Sequence, residues 1–154
     1  MDIIAELREI TARLDQECVE YALCGGLAMA IYAMPRATLD IDLLIQFDSL
    51  AQAQQAVEPL GFWVGTALMS FHGGKIKIAR LCKVDSLTHE ELVLDLLLTT
   101  DETAAAWKDR REVDWEGRKL KVVSPEGLIL LKSFRRSGVD EDDITYLRSI
   151  IDED

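Results

Sequence analysis

Seven consecutive residues, Leu92–Leu98, are leucine or valine except for Asp95 in the middle. The run is far short of the roughly 20 residues that a membrane span needs. Its length and composition predict a central strand, covered on both faces. That placement sets a carboxylate among leucines. An unpaired carboxylate there costs several kcal/mol or is forced to protonate. Asp95 therefore requires a cation, an arginine partner or a position at the mouth of a cleft, and the fold must supply one of them.

A second strand pattern carries two more acids. Over Asp40–Gln46, Asp40, Asp42 and Leu44 alternate with Ile41, Leu43 and Ile45. Residues two apart on a strand project from one face, so Asp40 and Asp42 stand ~6.5–7 Å apart at Cα. Converging with Asp95, they would form an oxygen-rich site for one or two Mg²⁺ ions. An Asp-x-Asp alone also fits a strand start followed by a surface acid, with Asp95 buried against an arginine. The acids by themselves leave both readings open.

The rest of the chain reads as alternating helices and strands. Ile3, Ile4, Leu7, Ile10 and Leu14 follow helical spacing and predict a helix over 2–17. Val19–Cys24 predicts a strand ending at Gly25-Gly26, and Leu27–Met34 a helix stopped by Pro35. Ser49 with Gln52 has the form of a capping box for a helix to Leu60, closed by Gly61. Phe62–Met69 and Lys75–Val84 predict a strand pair turning at Gly73-Gly74. Thr99/Glu102 would cap a helix over Asp101–Arg111, and Val113–Trp115 would pair with Arg118–Val123 around Glu116-Gly117. Ser124-Pro125 is a strong helix start, for a helix through Arg136 ended by Gly138. A last helix is expected over Asp140–Ile151. The order predicts an α/β (α+β) fold with a mixed sheet flanked by helices and a C-terminal helical pair. At 154 residues the expectation is a single domain, 1–154, with a core at about 18–123 and helices at about 124–152.

Composition removes several classes. With 49% hydrophobic and 29% charged residues the chain is not generally disordered. A net charge of −11 argues against general DNA coating, which calls for a basic protein. That charge is uneven: residues 139–154 hold seven acids and one arginine, and are expected to be solvated rather than a docking surface for a basic partner. Two stretches are locally basic, Lys75, Lys77, Arg80, Lys83 and then Arg118, Lys119, Lys121, Lys132, Arg135, Arg136. They fit solvated faces and helix-end charges, or local phosphate contacts. Cys18, Cys24 and Cys82 share no CxxC spacing, so reduced thiols are expected rather than a zinc site with His72 and His89, with Cys24 and Cys82 buried in their strands. The N-terminus has acids among its apolar residues and no basic start, so no signal peptide is expected. The expected protein is cytoplasmic, with no membrane partner.

Gly25-Gly26, at a strand-to-helix junction, lets backbone approach a ligand and offers free N–H groups to an anion. Neither a G-x-G-x-x-G nor a Walker A sequence occurs. Gly25-Gly26, thirteen intervening residues, Asp40-x-Asp42 in an apolar strand and a later single Asp95 together resemble the nucleotidyltransferase superfamily that includes DNA polymerase β. Gly-Gly-x-Ala followed by Arg-x-Thr-x-Asp-x-Asp is similar to small bacterial nucleotidyltransferase-like proteins, some of which act in abortive-infection toxin–antitoxin systems. Leu128–Lys132, with Asp142-Asp143-Ile144 beyond it, resembles that family's Leu-x-x-Leu-Lys helix and following acidic turn.

The resemblance implies roles. Asp40, Asp42 and Asp95 would be the catalytic acids, holding two Mg²⁺ ions (or Mn²⁺), with Asp95 helping to deprotonate the attacking hydroxyl. Gly25, Gly26 and Lys132 would bind the triphosphate, supported by Arg36 and Thr38. The implied reaction moves a nucleoside monophosphate from an NTP to a hydroxyl on RNA, protein or a small molecule. The alternative is a catalytically silent protein of the same fold that binds nucleotide or a protein partner. Gly26 stands where many active members carry serine.

Overall fold

The structure, a computed structural model, describes residues 1–32, 40–65, 68–134 and 138–152, with backbone alone for 138–141 and 152. Helix α1 (Ile3–Gln16) begins where the Asp2 carboxylate accepts hydrogen bonds from the Ile4 and Ala5 amides at 3.0 and 3.2 Å. Its apolar stripe, Leu7, Ile10 and Leu14, is fully buried. Strand β1 (Ala22–Cys24) runs directly into α2 (Gly25–Ile31). The strand is shorter than expected, and the helix starts two residues earlier because Gly25 enters it with φ +69°. Strand β2 (Asp40–Ile45) leads through a 3₁₀ turn into α3 (Leu50–Val57) and a second such turn, which the left-handed Gly61 closes as predicted.

Strands β3 (Trp63–Val64) and β4 (Met69–Phe71) both pair with the long β5 (Ile76–Val84), so the expected single strand before the turn is two short ones. Strand β6 (Glu91–Leu98) is followed by a 3₁₀ turn and the short α4 (Ala104–Lys108). Strands β7 (Arg111–Trp115) and β8 (Arg118–Val122) form the expected hairpin, with Glu116 and Gly117 both at positive φ. That conformation matches the right-handed twist of the flanking strands. Ser124 caps α5 (Pro125–Ser133) by accepting from the Gly127 amide at 3.0 Å. Gly138 opens α6 (Gly138–Asp152) rather than ending α5.

The sheet is mixed, in the order β3-β5-β6-β2-β1-β8-β7, with β4 also on β5. Pairs β2/β6 and β1/β8 are parallel and the others antiparallel. As Leu92–Leu98 predicts, β6 is an interior strand, between β5 and β2. One buried apolar cluster joins Leu7, Ile10 and Leu14 of α1 to Ile41, Leu43, Leu94, Leu96, Leu128 and Leu147. Burying each such side chain contributes about 1.5–3 kcal/mol before the cost of ordering the chain.

Neither expected capping box forms. Ser49 makes no side-chain cap, because the chain enters α3 through a 3₁₀ turn that leaves residue 49 already helical. The box after β6 is Thr100 with Thr103; Thr99 instead accepts from the Phe47 amide. Among the described residues no helix is long and apolar enough to cross a membrane.

Candidate active site

Strand pleating and register build one row of side chains across four strands. Arg80 on β5 lies opposite Asp95 on β6, Asp95 opposite Asp42 on β2, and Asp42 opposite Cys24 on β1. Side chains two apart share a face. Ile76, Ile78 and Arg80 therefore line the same cavity as Asp95, Leu97, Asp40, Asp42 and Cys24. Leu128, Leu131, Lys132 and Phe134, from α5 and its end, stand along it, as do Phe71 at the end of β4 and His72 in the turn that follows. The cavity holds ≈ 630 Å³. The His72 and Phe134 rings are 6.1 Å apart and tilted by 48°.

Gly25 is fixed by this geometry. A Cβ on residue 25 would sit 2.2 Å from Asp42 Oδ2, and the φ of +69° is itself disfavoured for a side-chain-bearing residue. The glycine thus lets the Asp42 carboxylate lie against the first turn of α2. Gly26 continues that helix.

Asp95 is buried, and it meets the demand made by its apolar strand with an arginine. Arg80 Nε donates to Oδ1 at 2.8 Å and an Arg80 terminal nitrogen to Oδ2 at 2.9 Å, a bidentate pair. Burial raises the Asp40 carboxyl above its ordinary range, the Asp95 charge raises it further, and Arg80 pulls it back. The Cys24 thiol is pushed well up, first by burial and then by the Asp42 charge, which leaves it an inert apolar wall.

Lys132 lies on the wall formed by α5. Its ammonium is 2.8 Å from Asp143 on α6, and both side chains are buried. One acid of the tail expected to be solvated is thus an internal partner of a cavity lysine. The two basic stretches are largely spoken for: Lys83 binds Glu6, Arg118 binds Asp15, and Lys119 binds Asp114.

The structure accordingly brings Gly25, Asp40, Asp42, Asp95 and Lys132 to one cavity. Arg36 and Thr38 lie outside the described residues. Sequence reasoning passed over Arg80 as a member of the site, although the parity of Ile76, Ile78 and Arg80 on an alternating strand was the available signal. It also passed over Asp143 as the holder of Lys132, and over the aromatic wall of Phe71, His72 and Phe134.

Asp40 and Asp42 offer hard oxygen donors suited to Mg²⁺. Both oxygens of Asp95 face Arg80. Consistent with this, no three His, Cys, Asp or Glu side chains among the described residues are grouped to hold an ion jointly.

Similarity to solved structures follows this architecture. The lincosamide antibiotic adenylyltransferase LnuA, solved with lincomycin bound, superposes with a TM-score of 0.61 at 20% identity over 95% of this chain and 96% of that one. ANT(2″)-Ia in complex with adenylyl-2″-tobramycin gives 0.65 at 19% identity, covering 96% and 88%. A Thermotoga maritima protein provisionally named a nucleotidyltransferase gives 0.62 at 19%, covering 99% and 94%. No protein-family model matches the sequence, and no curated protein matches it significantly. The chain has the nucleotidyltransferase fold.

Proposed function

We propose that the protein transfers a nucleoside monophosphate from an NTP to a hydroxyl of a small molecule, acting as one unit over 1–154. The observation that carries this is the convergence of Asp40, Asp42 and Asp95 with Gly25 and Lys132 on one cavity of the nucleotidyltransferase fold. In the reaction the acceptor oxygen forms a bond to the α-phosphorus. The bond from that phosphorus to the bridging oxygen breaks, pyrophosphate leaves, and the hydroxyl proton passes to a base. Phosphoryl transfer depends on in-line positioning and charge neutralisation.

In this reading Asp40 and Asp42 hold a divalent metal, Mg²⁺ or Mn²⁺, with Asp95 assigned on the resemblance to a second ion. When bound, the metal neutralises charge on the phosphates and the leaving group. Asp95 is assigned on the resemblance as the base that takes the acceptor's proton. Gly25 and Gly26 present the first turn of α2 to the phosphates, and Lys132, fixed by Asp143, faces them from α5. Arg36 and Thr38 are assigned to the same phosphate loop on the resemblance alone. The acceptor assignment draws on two neighbours, which hold lincomycin and adenylyl-2″-tobramycin. A cavity of ≈ 630 Å³ walled by Phe71, His72, Ile76, Ile78 and Phe134 suits a drug-sized molecule with an apolar face. RNA and protein acceptors, and a toxin–antitoxin role, have no such support from the cavity.

One observation favours nucleotide binding without turnover: the third acid is already neutralised by Arg80. Incubation with α-phosphate-labelled NTPs, Mg²⁺ and a panel of hydroxylated small molecules separates the readings. Label on an acceptor, with pyrophosphate released and at least about 100-fold less transfer by Asp42→Asn, is the result expected if Asp42 holds the metal that neutralises transition-state charge. Metal-dependent NTP binding with no transfer to any acceptor favours the silent reading, and no NTP binding at all overturns both.

A further inference from the structure

The Arg80–Asp95 pair has a consequence for how the acids take up cations. Its bonds, 2.8 and 2.9 Å, engage both carboxylate oxygens of Asp95 with two nitrogens of one guanidinium. Asp95 is walled in, its side chain 8% exposed, and each of its oxygens already accepts from Arg80. Arg80 is different: its side chain is 39% exposed, and it stands on the cavity face of β5, with Ile76 and Ile78 beside it. Of the two partners only the arginine has room to leave.

We propose that Arg80 is a cation-competing latch on the third carboxylate. While it is closed, Asp95 is neutralised by guanidinium and the metal site is reduced to Asp40 and Asp42. A divalent ion that draws on Asp95 must displace Arg80. The freed guanidinium then faces the cavity, where an incoming polyphosphate is the anion that neutralises it. The latch makes metal occupancy at Asp95 and nucleotide occupancy support each other, so that the complete acidic site assembles when both ligands are present. Arg80 acts on the metal through Asp95 and is a positioning residue. This inference rests on the metal-binding reading given above.

The test is calorimetric binding of Mn²⁺, without nucleotide, to the wild-type chain and to Arg80→Met, Arg80→Lys, Asp95→Asn and the double variant Arg80→Met/Asp95→Asn. A latch closed for about nine-tenths of the time lowers apparent affinity about tenfold, because only the open fraction binds. Arg80→Met should therefore bind Mn²⁺ about tenfold more tightly, Arg80→Lys should fall between, and Asp95→Asn should erase the gain. Equal or weaker binding by a folded Arg80→Met, or a gain that survives in the double variant, overturns the latch. The wild-type chain provides a readout that needs no substitution. The Arg80 Nε–H resonance should be protected from exchange in metal-free protein, and lose that protection as Mg²⁺ is added with ATP. A resonance unmoved at saturating ATP and Mg²⁺ overturns the latch while leaving the metal reading intact. If no variant binds Mn²⁺ even with ATP present, the metal reading falls and takes the latch with it.

Discussion

Gly25 carries more constraint than any other single residue of the site. Its φ of +69° and the 2.2 Å that would separate a Cβ from Asp42 Oδ2 act together. Gly25→Ala should lose about 1–2 kcal/mol from the left-handed backbone alone, and more from moving Asp42. Thermal denaturation and NTP titration check this: a lower melting temperature with lost affinity is expected, and an unchanged pair contradicts the reason given for a glycine at the start of α2. Asp40 makes a prediction about pH. Burial first, and the Asp95 charge second, raise its carboxyl above the ordinary 3.8. The native state then holds a proton that the unfolded chain has released, so Asp40's contribution to stability declines as pH climbs from 3.8 through the raised value. Metal binding needs the ionised form and runs the other way. Mn²⁺ affinity should fall on acidification at a higher pH than an ordinary carboxylate would give, and Asp40→Asn should leave binding weak and flat over that window. A wild-type affinity that stays level until the ordinary carboxylate range contradicts the shift.

At the scale of elements, the buried Lys132–Asp143 pair joins α5 to α6 beside the cavity. Removing one partner strands a buried charge, so Asp143→Ala should cost about 3–5 kcal/mol in chemical denaturation. The double variant Lys132→Met/Asp143→Leu should regain much of that stability, since apolar pairs often replace buried ion pairs well. It should not regain NTP affinity. Recovery of both would make the pair structural and remove Lys132 from the phosphates. The elements also show what a sequence discloses. Ser124-Pro125, Gly61 and Glu116-Gly117 are legible because each ends or begins an element by local chemistry. The interior strand around Asp95 is legible because its six apolar residues have few places to go. Ser49/Gln52 and Thr99/Glu102 mislead, because 3₁₀ turns shift each helix start away from the residue that has the right type. The partners of Asp95 and Lys132 depend on β5/β6 register and on α6 packing, which join residues 15 and 11 positions apart through tertiary contacts that no local pattern encodes.

For the whole molecule, a net charge of −11 repels a polyanionic NTP at long range. The cavity adds Asp40, Asp42 and Asp95 to that repulsion and offsets it with Arg80 and Lys132, each already committed to a carboxylate. NTP binding should thus vanish in chelator and return with Mg²⁺ or Ca²⁺, while a protein that held NTP through free basic side chains would bind without metal. The cavity is made by the sheet face and α5 together. Calorimetric titration of each NTP with excess Mg²⁺ or Ca²⁺, on the wild-type chain and on Asp42→Asn, asks whether these acids hold nucleotide through a metal. Metal-dependent binding by the wild type that Asp42→Asn abolishes, in a variant that melts normally, is the result predicted. A well-folded wild type that binds no NTP, or an Asp42→Asn variant that binds as well as the wild type, would contradict it.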